Sequence, residues 1–316
     1  MTNKDGRAET GLRERRIDAA MQMLDKGVEK ILDSESFKRY LAFAARFHVY
    51  SANNCMLILL QKPLATRVAG YGKWRGLGRQ VKRDERGINI LAPVFKTVED
   101  EETGEKSRAI CAFKVVKVFD ISQTIALPEA EPLPEKPHPE TLSGSSSTAA
   151  HLMKSLKEMC RTEGIEVRES DDEINIRYPT ANALYSPAKK LILLKETLSG
   201  DQKTKSLLHE FVHHVMHRDA IRTGVERPLI EAEAEGAAYA VLSYFGLDTS
   251  GYSFAYVAHW TENKEVVKSA LAKIQEAVGR IIRDLESVYE ARIAVKSGES
   301  HHAQRKTAET LTPACE

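Results

Sequence analysis

The sequence predicts two domains of the α+β class. The first is an N-terminal α+β domain, and the second a C-terminal, mainly helical domain with a small antiparallel sheet. Three observations predict it. The chain has 316 residues, room for about two domains at roughly 100–200 residues each. A stretch at 127–147 reads LPEAEPLPEKPHPETLSGSSS, a semi-rigid proline spacer that passes into a flexible serine one. In both halves, helical periodicity surrounds short runs of strand composition. The resulting boundaries are 12–126 for the first domain, 127–147 for the linker, 148–296 for the second domain and 297–316 for a polar, disordered tail.

The first half opens with helices. Ile17, Met21, Leu24, Val28, Ile31 and Leu32 follow a 3.6-residue period. Ser34 caps a second helix carrying Phe37, Tyr40, Leu41, Ala44 and Phe47, and Ser51 caps a third that runs to Gln61, with Pro63 as its stop. Gly70, Gly72, Gly76 and Gly78 then break the chain into loops around Tyr71 and Trp74. Two strands, 87–95 and 108–121, form a hairpin across the polar 98–107 turn.

The second half reads as a helix at 149–161, a short strand at 174–178, and a hairpin with arms 183–186 and 191–194 around Pro187. Three helices follow, at 201–217, 228–245 and 265–294. The last carries an apolar stripe of Val267, Leu271, Ile274, Val278, Ile281, Ile282, Leu285 and Val288.

Composition excludes several classes. No apolar run approaches the roughly 18 residues of a membrane span. Residues 1–16 are charged and carry no apolar signal region. Cys55, Cys111, Cys160 and Cys315 form no C-x-x-C pair, which argues for a reducing compartment. The expectation is a cytoplasmic protein with no membrane partner. The net charge of +1 hides an uneven chain. Eleven lysines and arginines lie between Lys38 and Arg86, opposed by Asp84 and Glu85 alone. Such a cluster is either a solvated basic face or the footprint of a phosphate-backbone binder.

His209-Glu210-Phe211-Val212-His213 is H-E-x-x-H in a helical context. On a helix, i and i+4 share a face, so His209 and His213 can bind one Zn²⁺ (Zn2+). Glu210 is then placed as general base toward a water on the metal. A catalytic site needs a third protein ligand. The metzincin spacing would put a histidine at 219, where Asp219 stands. His209 and His217 are separated by about 12 Å along a straight helix, too far for one ion, so His214 and His217 read as supporting or exposed groups. The acidic helix Glu231-Ala232-Glu233-Ala234-Glu235 supplies carboxylates instead. Glu231 and Glu235 share one face and Glu233 lies on another; periodicity does not choose between them.

Two resemblances follow from these residues. The second half, with His209–His213, then Glu231-x-Glu233-Ala234 and the small Ala237 and Ala238, resembles the ImmA/IrrE-like zinc endopeptidases. That likeness implies a zincin-like fold and, by the position before the alanine, Glu233 as third ligand. The first half resembles the single-stranded-DNA-binding domain of the ArdC antirestriction family. The matching residues are Tyr50-Ser51-x-x-Asn54-x-x-Leu57-Ile58, Gln61-x-Pro63, Gly70-Tyr71-x-x-Trp74, Leu77-Gly78-x-x-Val81, Gly87-Ile88-x-Ile90-Leu91-Ala92-Pro93 and Val118-Phe119-Asp120-Ile121-Ser122-Gln123-Thr124. The order of the two halves is also that of the ArdC family. One departure stands out: Arg83-Asp84-Glu85 occupies a turn where the family carries Lys-Gly-Glu.

The resemblance implies single-stranded DNA as partner. Tyr71 and Trp74 would stack on bases among Lys73, Arg75, Arg79 and Lys82, with Asn54 contacting a base or capping a turn. The implied function is antirestriction for a mobile element such as a plasmid, with a zinc metallopeptidase domain and a protein substrate. Two readings stand beside it: an endopeptidase brought by DNA to a regulatory protein, and a DNA binder with a vestigial metal site. Tyr252, Tyr256 and His259 are candidate oxyanion donors.

Overall fold

The computed structural model describes residues 3–99, 106–133, 145–176, 178–218, 227–247, 249, 251–252, 254 and 263–297. The described residues fall into two compact units. One draws on Met1–Ile31 and Val49–Pro134; the other on Leu32–His48 and Glu135–Thr310. Most of the proline-serine linker, and the tail beyond Ser297, lie outside the described residues.

In the first unit, α1 (Asn3–Lys30) buries Ala20, Leu24 and Val28 and packs on α3 (Ala52–Gln61). Gly27 allows that approach: a Cβ there would come within 2.8 Å of Met56 and Leu60 side-chain atoms. Ser51 caps α3, as its sequence position predicts. The chain continues through β1 (Val68–Gly70), α4 (Tyr71–Gly76), β2 (Arg79–Val81), β3 (Ile88–Glu99), β4 (Lys106–Asp120), a 3-10 turn (Ile121–Gln123) and β5 (Thr124–Ala126). Strands β1, β4 and β3 form an antiparallel sheet in that order, and β2 pairs with β5.

One segment expected as loop is α4, held down by Trp74, which is fully buried and donates its indole N–H to the Phe119 carbonyl at 2.8 Å. Asp84 adopts φ 63°, so it takes the left-handed turn position for which glycine is the usual choice.

The edge strand β3 is covered by side chains of α3. Asn54 Nδ2 donates to the Leu91 carbonyl and Asn54 Oδ1 accepts from the Leu91 amide, both at 2.9 Å. Gln61 repeats this two residues along the strand, on the carbonyl and amide of Asn89 at 2.8 and 2.9 Å. These amides satisfy backbone groups that an edge strand otherwise leaves open.

The second unit contains α2 (Ser34–Arg46), whose N-cap is Asp33, its carboxylate accepting from the Ser36 amide at 2.9 Å. The sequence reading placed this helix in the first domain. Its apolar face instead packs on α8 (Arg227–Tyr244) and α9 (Lys264–Ser297). Gln275 on α9 donates to the Ala44 and Phe47 carbonyls, both at 3.2 Å, closing the end of α2.

The rest of the unit comprises α5 (Ser145–Thr162), β6 (Glu166–Glu169), α6 (Asp171–Asn175), β7 (Ala183–Ser186), β8 (Leu191–Leu194) and α7 (Gly200–His217). The β7–β8 hairpin is antiparallel as expected, and β6 adds a third strand, parallel to β8. Among the described residues no strand forms at 174–178; Ile174 and Asn175 lie in the last turn of the short helix α6 (Asp171–Asn175). Ser170 caps that helix on the Glu173 amide, and Asp171, Asp172 and Glu173 fill its first turn, where acids favour the helix dipole. Among the described residues no helix is long and apolar enough to cross a membrane.

Candidate metal centre and nucleic-acid surface

Helix α7 starts at its cap Ser199 and packs beside α5, α8, β7 and β8. Its interior face carries Leu207, Leu208, Phe211 and Val212, all buried. That burial fixes the rotation of the helix and directs His209 and His213 to α8. Their Nε2 atoms lie 3.1 Å apart. One carboxylate oxygen of Glu231 is 3.5 Å from His209 Nε2 and 3.4 Å from His213 Nε2. These three residues form a group able to hold a metal ion. Ligands bound tetrahedrally at about 2.0–2.2 Å stand roughly 3.3–3.6 Å from one another. The two histidine–carboxylate sides fall in that range and the imidazole pair, at 3.1 Å, is slightly tighter; two imidazole nitrogens with one carboxylate oxygen are a donor set that suits a zinc ion.

The site is electrostatically primed for a cation. Hydrogen bonds from His209 and His213 hold the Glu231 carboxyl far below the usual range. Burial works against protonation of His209, but Glu231 beside it and the charge of Glu210 outweigh burial and raise its affinity for a proton. Glu210 behaves oppositely to Glu231. Burial pushes its carboxyl up, and the nearby histidines and the Tyr185 backbone amide only partly offset that.

Glu233, the third ligand implied by the peptidase resemblance, is not beside the two imidazoles. It is 1% exposed, with Oε2 2.9 Å from His217 Nε2 and Oε1 3.0 Å from Lys273 Nζ. Periodicity had no phase to offer, because α8 is buried around nearly its whole circumference: Ala232, Glu233, Ala234, Gly236, Ala237 and Ala238 are all buried. The link to Lys273 comes from a residue 40 positions away, which no local pattern signals. His214 faces away from the centre; its Nδ1 is hydrogen-bonded to the Tyr185 hydroxyl at 2.7 Å. Tyr252 packs against Tyr239 and Phe254, and burial raises its phenol. Tyr256 and His259 lie outside the described residues.

In the first unit the expected DNA residues separate into two groups. Tyr71 is 51% exposed on α4, with Lys73 partly exposed and Arg75 exposed beside it. Lys82 is exposed and donates to the Ser122 carbonyl at 2.8 Å; Arg79 is half-buried and donates to Thr124 Oγ1 at 2.7 Å. Trp74 and Asn54 are different. The indole is enclosed and the Asn54 amide is spent on Leu91, so neither offers a free face to a base. Sequence reasoning passed over the β3–β4 hairpin, where Phe95, Ile110 and Phe113 are exposed and the Arg108 guanidinium lies 4.8 Å over the Phe95 ring.

Fold and site together define a chain with a mixed α/β domain followed by a mostly helical domain that holds a His-His-Glu cluster. Residues 11–119 match the family described as the N-terminal domain of anti-restriction factor ArdC, and residues 160–250 match the IrrE N-terminal-like domain. The chain is ArdC-like, with these two domains in that order. An uncharacterized protein of Bacillus anthracis is 24% identical over 274 residues, which take in 77% of this chain and 46% of the relative. The chain thus spans about half the length of that curated relative. Two crystal structures of the antirestriction ArdC protein from plasmid R388 are also similar. The metal-free form has a TM-score of 0.46 and 20% identity, covering 75% of this chain and 86% of that one. The Mn(II)-bound form has a TM-score of 0.43 and 18% identity, covering 79% and 97%.

Proposed function

We propose that this chain is a single-stranded-DNA-binding antirestriction protein of a mobile element whose second domain is a zinc-dependent metallopeptidase. The observation that carries the enzymatic part is the His209–His213–Glu231 triangle with the half-buried Glu210 next to it in sequence. The match of residues 11–119 to the ArdC N-terminal domain supports the DNA-binding part.

In the second domain, His209 and His213 would offer Nε2 atoms and Glu231 one carboxylate oxygen to the metal. A zinc ion held there would supply Lewis acidity toward a peptide carbonyl and toward water. Glu210 supplies the base. Its carboxyl, raised by burial, holds a proton more readily than an ordinary glutamate, which suits a group that takes a proton and returns it to the leaving amine. A purely structural metal site has no use for such a group, which favours peptide hydrolysis over the vestigial reading.

In the first domain, exposed cations around Tyr71 face solvent. Lysine and arginine neutralise phosphates without reading sequence, and an exposed ring offers a stacking platform to any base. Protection of incoming strands by coating them needs no more than this.

The deciding experiment is a DNA-transfer assay into a restricting host. If coating is the effector, Glu210→Gln protects as the wild type does, while combined Lys73→Gln, Arg75→Gln and Lys82→Gln lose protection. Loss of protection in Glu210→Gln with DNA affinity unchanged overturns the coating reading in favour of an endopeptidase brought to its protein substrate by DNA.

A further inference from the structure

The His-His-Glu triangle is backed by a second line of side chains, none of which touches the proposed ion. Nδ1 of His213 is 3.3 Å from Nδ1 of His217. Nε2 of His217 is 2.9 Å from Glu233 Oε2, and Glu233 Oε1 is 3.0 Å from Lys273 Nζ. The line runs from the metal face of α7, across α8, to α9 at the surface. His217 and Glu233 are enclosed, with side chains 7% and 1% exposed, while Lys273 is 49% exposed.

We propose that His217, Glu233 and Lys273 are positioning residues that fix the tautomer and ring orientation of His213 for a metal bound through its Nε2. This rests on the metal-site reading above. Proton bookkeeping gives the line a single direction. A histidine that ligates through Nε2 carries its proton on Nδ1. His213 Nδ1–H then donates to His217 Nδ1, which must be bare. The His217 proton therefore sits on Nε2 and donates to Glu233 Oε2. An ionised carboxylate only accepts, so Glu233 takes that bond on one oxygen and the Lys273 ammonium on the other. Each donor has one acceptor and each acceptor one donor. Lys273 supplies the opposite charge without which a carboxylate this buried would be costly.

The same line accounts for two glutamates two residues apart. Glu231 reaches the imidazole nitrogens that face the metal, and Glu233 reaches the histidine behind them. A third histidine at one further helical turn, too distant to ligate, here has a use. It hands the orienting carboxylate to a ligand that the carboxylate does not itself contact.

Two measurements on the full chain test this. The first is zinc affinity by competition with a chromophoric chelator. His217→Phe removes the acceptor for His213 Nδ1–H and should weaken zinc by about 10–100-fold, the usual loss when an outer-shell partner of a ligand is removed. His217→Asn, whose amide oxygen can stand in for Nδ1 but whose shorter side chain gives up the bond to Glu233, should fall between the wild type and His217→Phe. The second is nitrogen-15 NMR of histidine-labelled protein without metal. It should show His217 protonated at Nε2 and bare at Nδ1. Wild-type affinity in His217→Phe, or a His217 proton on Nδ1, overturns the relay. If His217→Phe fails to fold, His217→Asn decides: affinity as weak as that expected for the phenylalanine variant overturns it. A wild type that binds no zinc overturns the metal reading instead, and the NMR tautomers still judge the hydrogen-bonded line by itself.

Discussion

Glu231 and Glu233 lie two residues apart on α8 and meet different histidines of α7: a Glu231 oxygen is 3.4 Å from His213 Nε2, and a Glu233 oxygen is 2.9 Å from His217 Nε2. Two steps along a helix turn a side chain by about 200°. One carboxylate therefore reaches the mouth of the cluster, half-exposed, and the other reaches its interior. Their exposures, 42% and 1%, follow from that rotation.

The first prediction separates the three acids of this helix by metal content. Glu231→Ala should abolish stoichiometric zinc, because two imidazoles alone do not make a tight site. Glu235→Ala should retain it. Glu233→Ala should retain weakened binding and lose stability as well, since it leaves His217 and Lys273 without their acceptor. Elemental analysis after dialysis and a thermal melt of each variant read the two effects separately. Loss of zinc in Glu233→Ala with zinc kept in Glu231→Ala would return the third-ligand role to Glu233.

A second prediction concerns Glu210. Glu210→Gln preserves volume and removes the base, so zinc content should be unchanged while peptide hydrolysis falls by about 10²–10⁴-fold, the usual contribution of a positioned base. Because burial penalises the charged carboxylate at this position, the glutamine variant should also melt no lower than the wild type. A variant that hydrolyses peptide at the wild-type rate removes Glu210 from the chemistry.

The third prediction is that Asn54 and Trp74 act on stability and not on DNA. Asn54→Ala leaves the Leu91 amide and carbonyl without partners, at a cost of about 1–3 kcal/mol for a buried group. Trp74→Ala empties a fully buried site and should cost about 3–5 kcal/mol. Denaturant titration measures both. At temperatures where the variants remain folded, their affinity for single strands should match the wild type.

How far the chain announced all this depends on the kind of signal. Ser51 before an apolar run placed α3, and Pro187 between two strand-like arms placed the β7–β8 hairpin, because caps and turns are local. Ile174 was misread as strand from its apolar neighbours, although Ser170-Asp171-Asp172-Glu173 is a helix start. The aromatic Trp74 among cations has the composition of a stacking platform, and only the Phe119 carbonyl reveals it as core. His209, Glu210 and His213 were legible because one helix sets their spacing. Glu231 was not, because α8 is buried on nearly every side and buried helices carry no periodic phase. Helix α2 was assigned by its place before the linker, whereas its partners come from more than two hundred residues away.

Acid sensitivity of the first unit should centre on Asp120, which is 1% exposed. Burial pushes its carboxyl up, but hydrogen bonds from Ser122, Thr66 and Arg67 outweigh burial and hold it below the ordinary value. A group depressed in the folded state stabilises above its unfolded pKa, about 3.9 for aspartate, and that stability is lost as pH falls through the folded value. Asp120→Asn should therefore lower stability at neutral pH and flatten its decline below about pH 4. Equal pH slopes in the two proteins, measured by urea unfolding, would show that another carboxylate dominates.

The last prediction concerns the proposed DNA surface. Phosphate contacts set the salt dependence of binding, and on a single strand each one lost lowers the slope of log affinity against log salt by about 0.7. Lys73→Gln, Arg75→Gln and Lys82→Gln should each weaken single-strand binding to a similar degree on every sequence, and each should reduce that slope. Arg79→Gln should behave as a mixed case, because its guanidinium already holds Thr124 Oγ1 at 2.7 Å and its loss costs stability too. Tyr71 answers a different question. Its ring is 51% exposed, and a base stacked on it is worth about 1–3 kcal/mol. Tyr71→Ala should therefore weaken binding by that amount and leave the salt slope unchanged, because no cation is removed. Fluorescence anisotropy over a salt series separates the two signatures. If Tyr71→Ala binds as the wild type does while Phe113→Ala loses affinity, the strand runs along the exposed β3–β4 hairpin instead of α4.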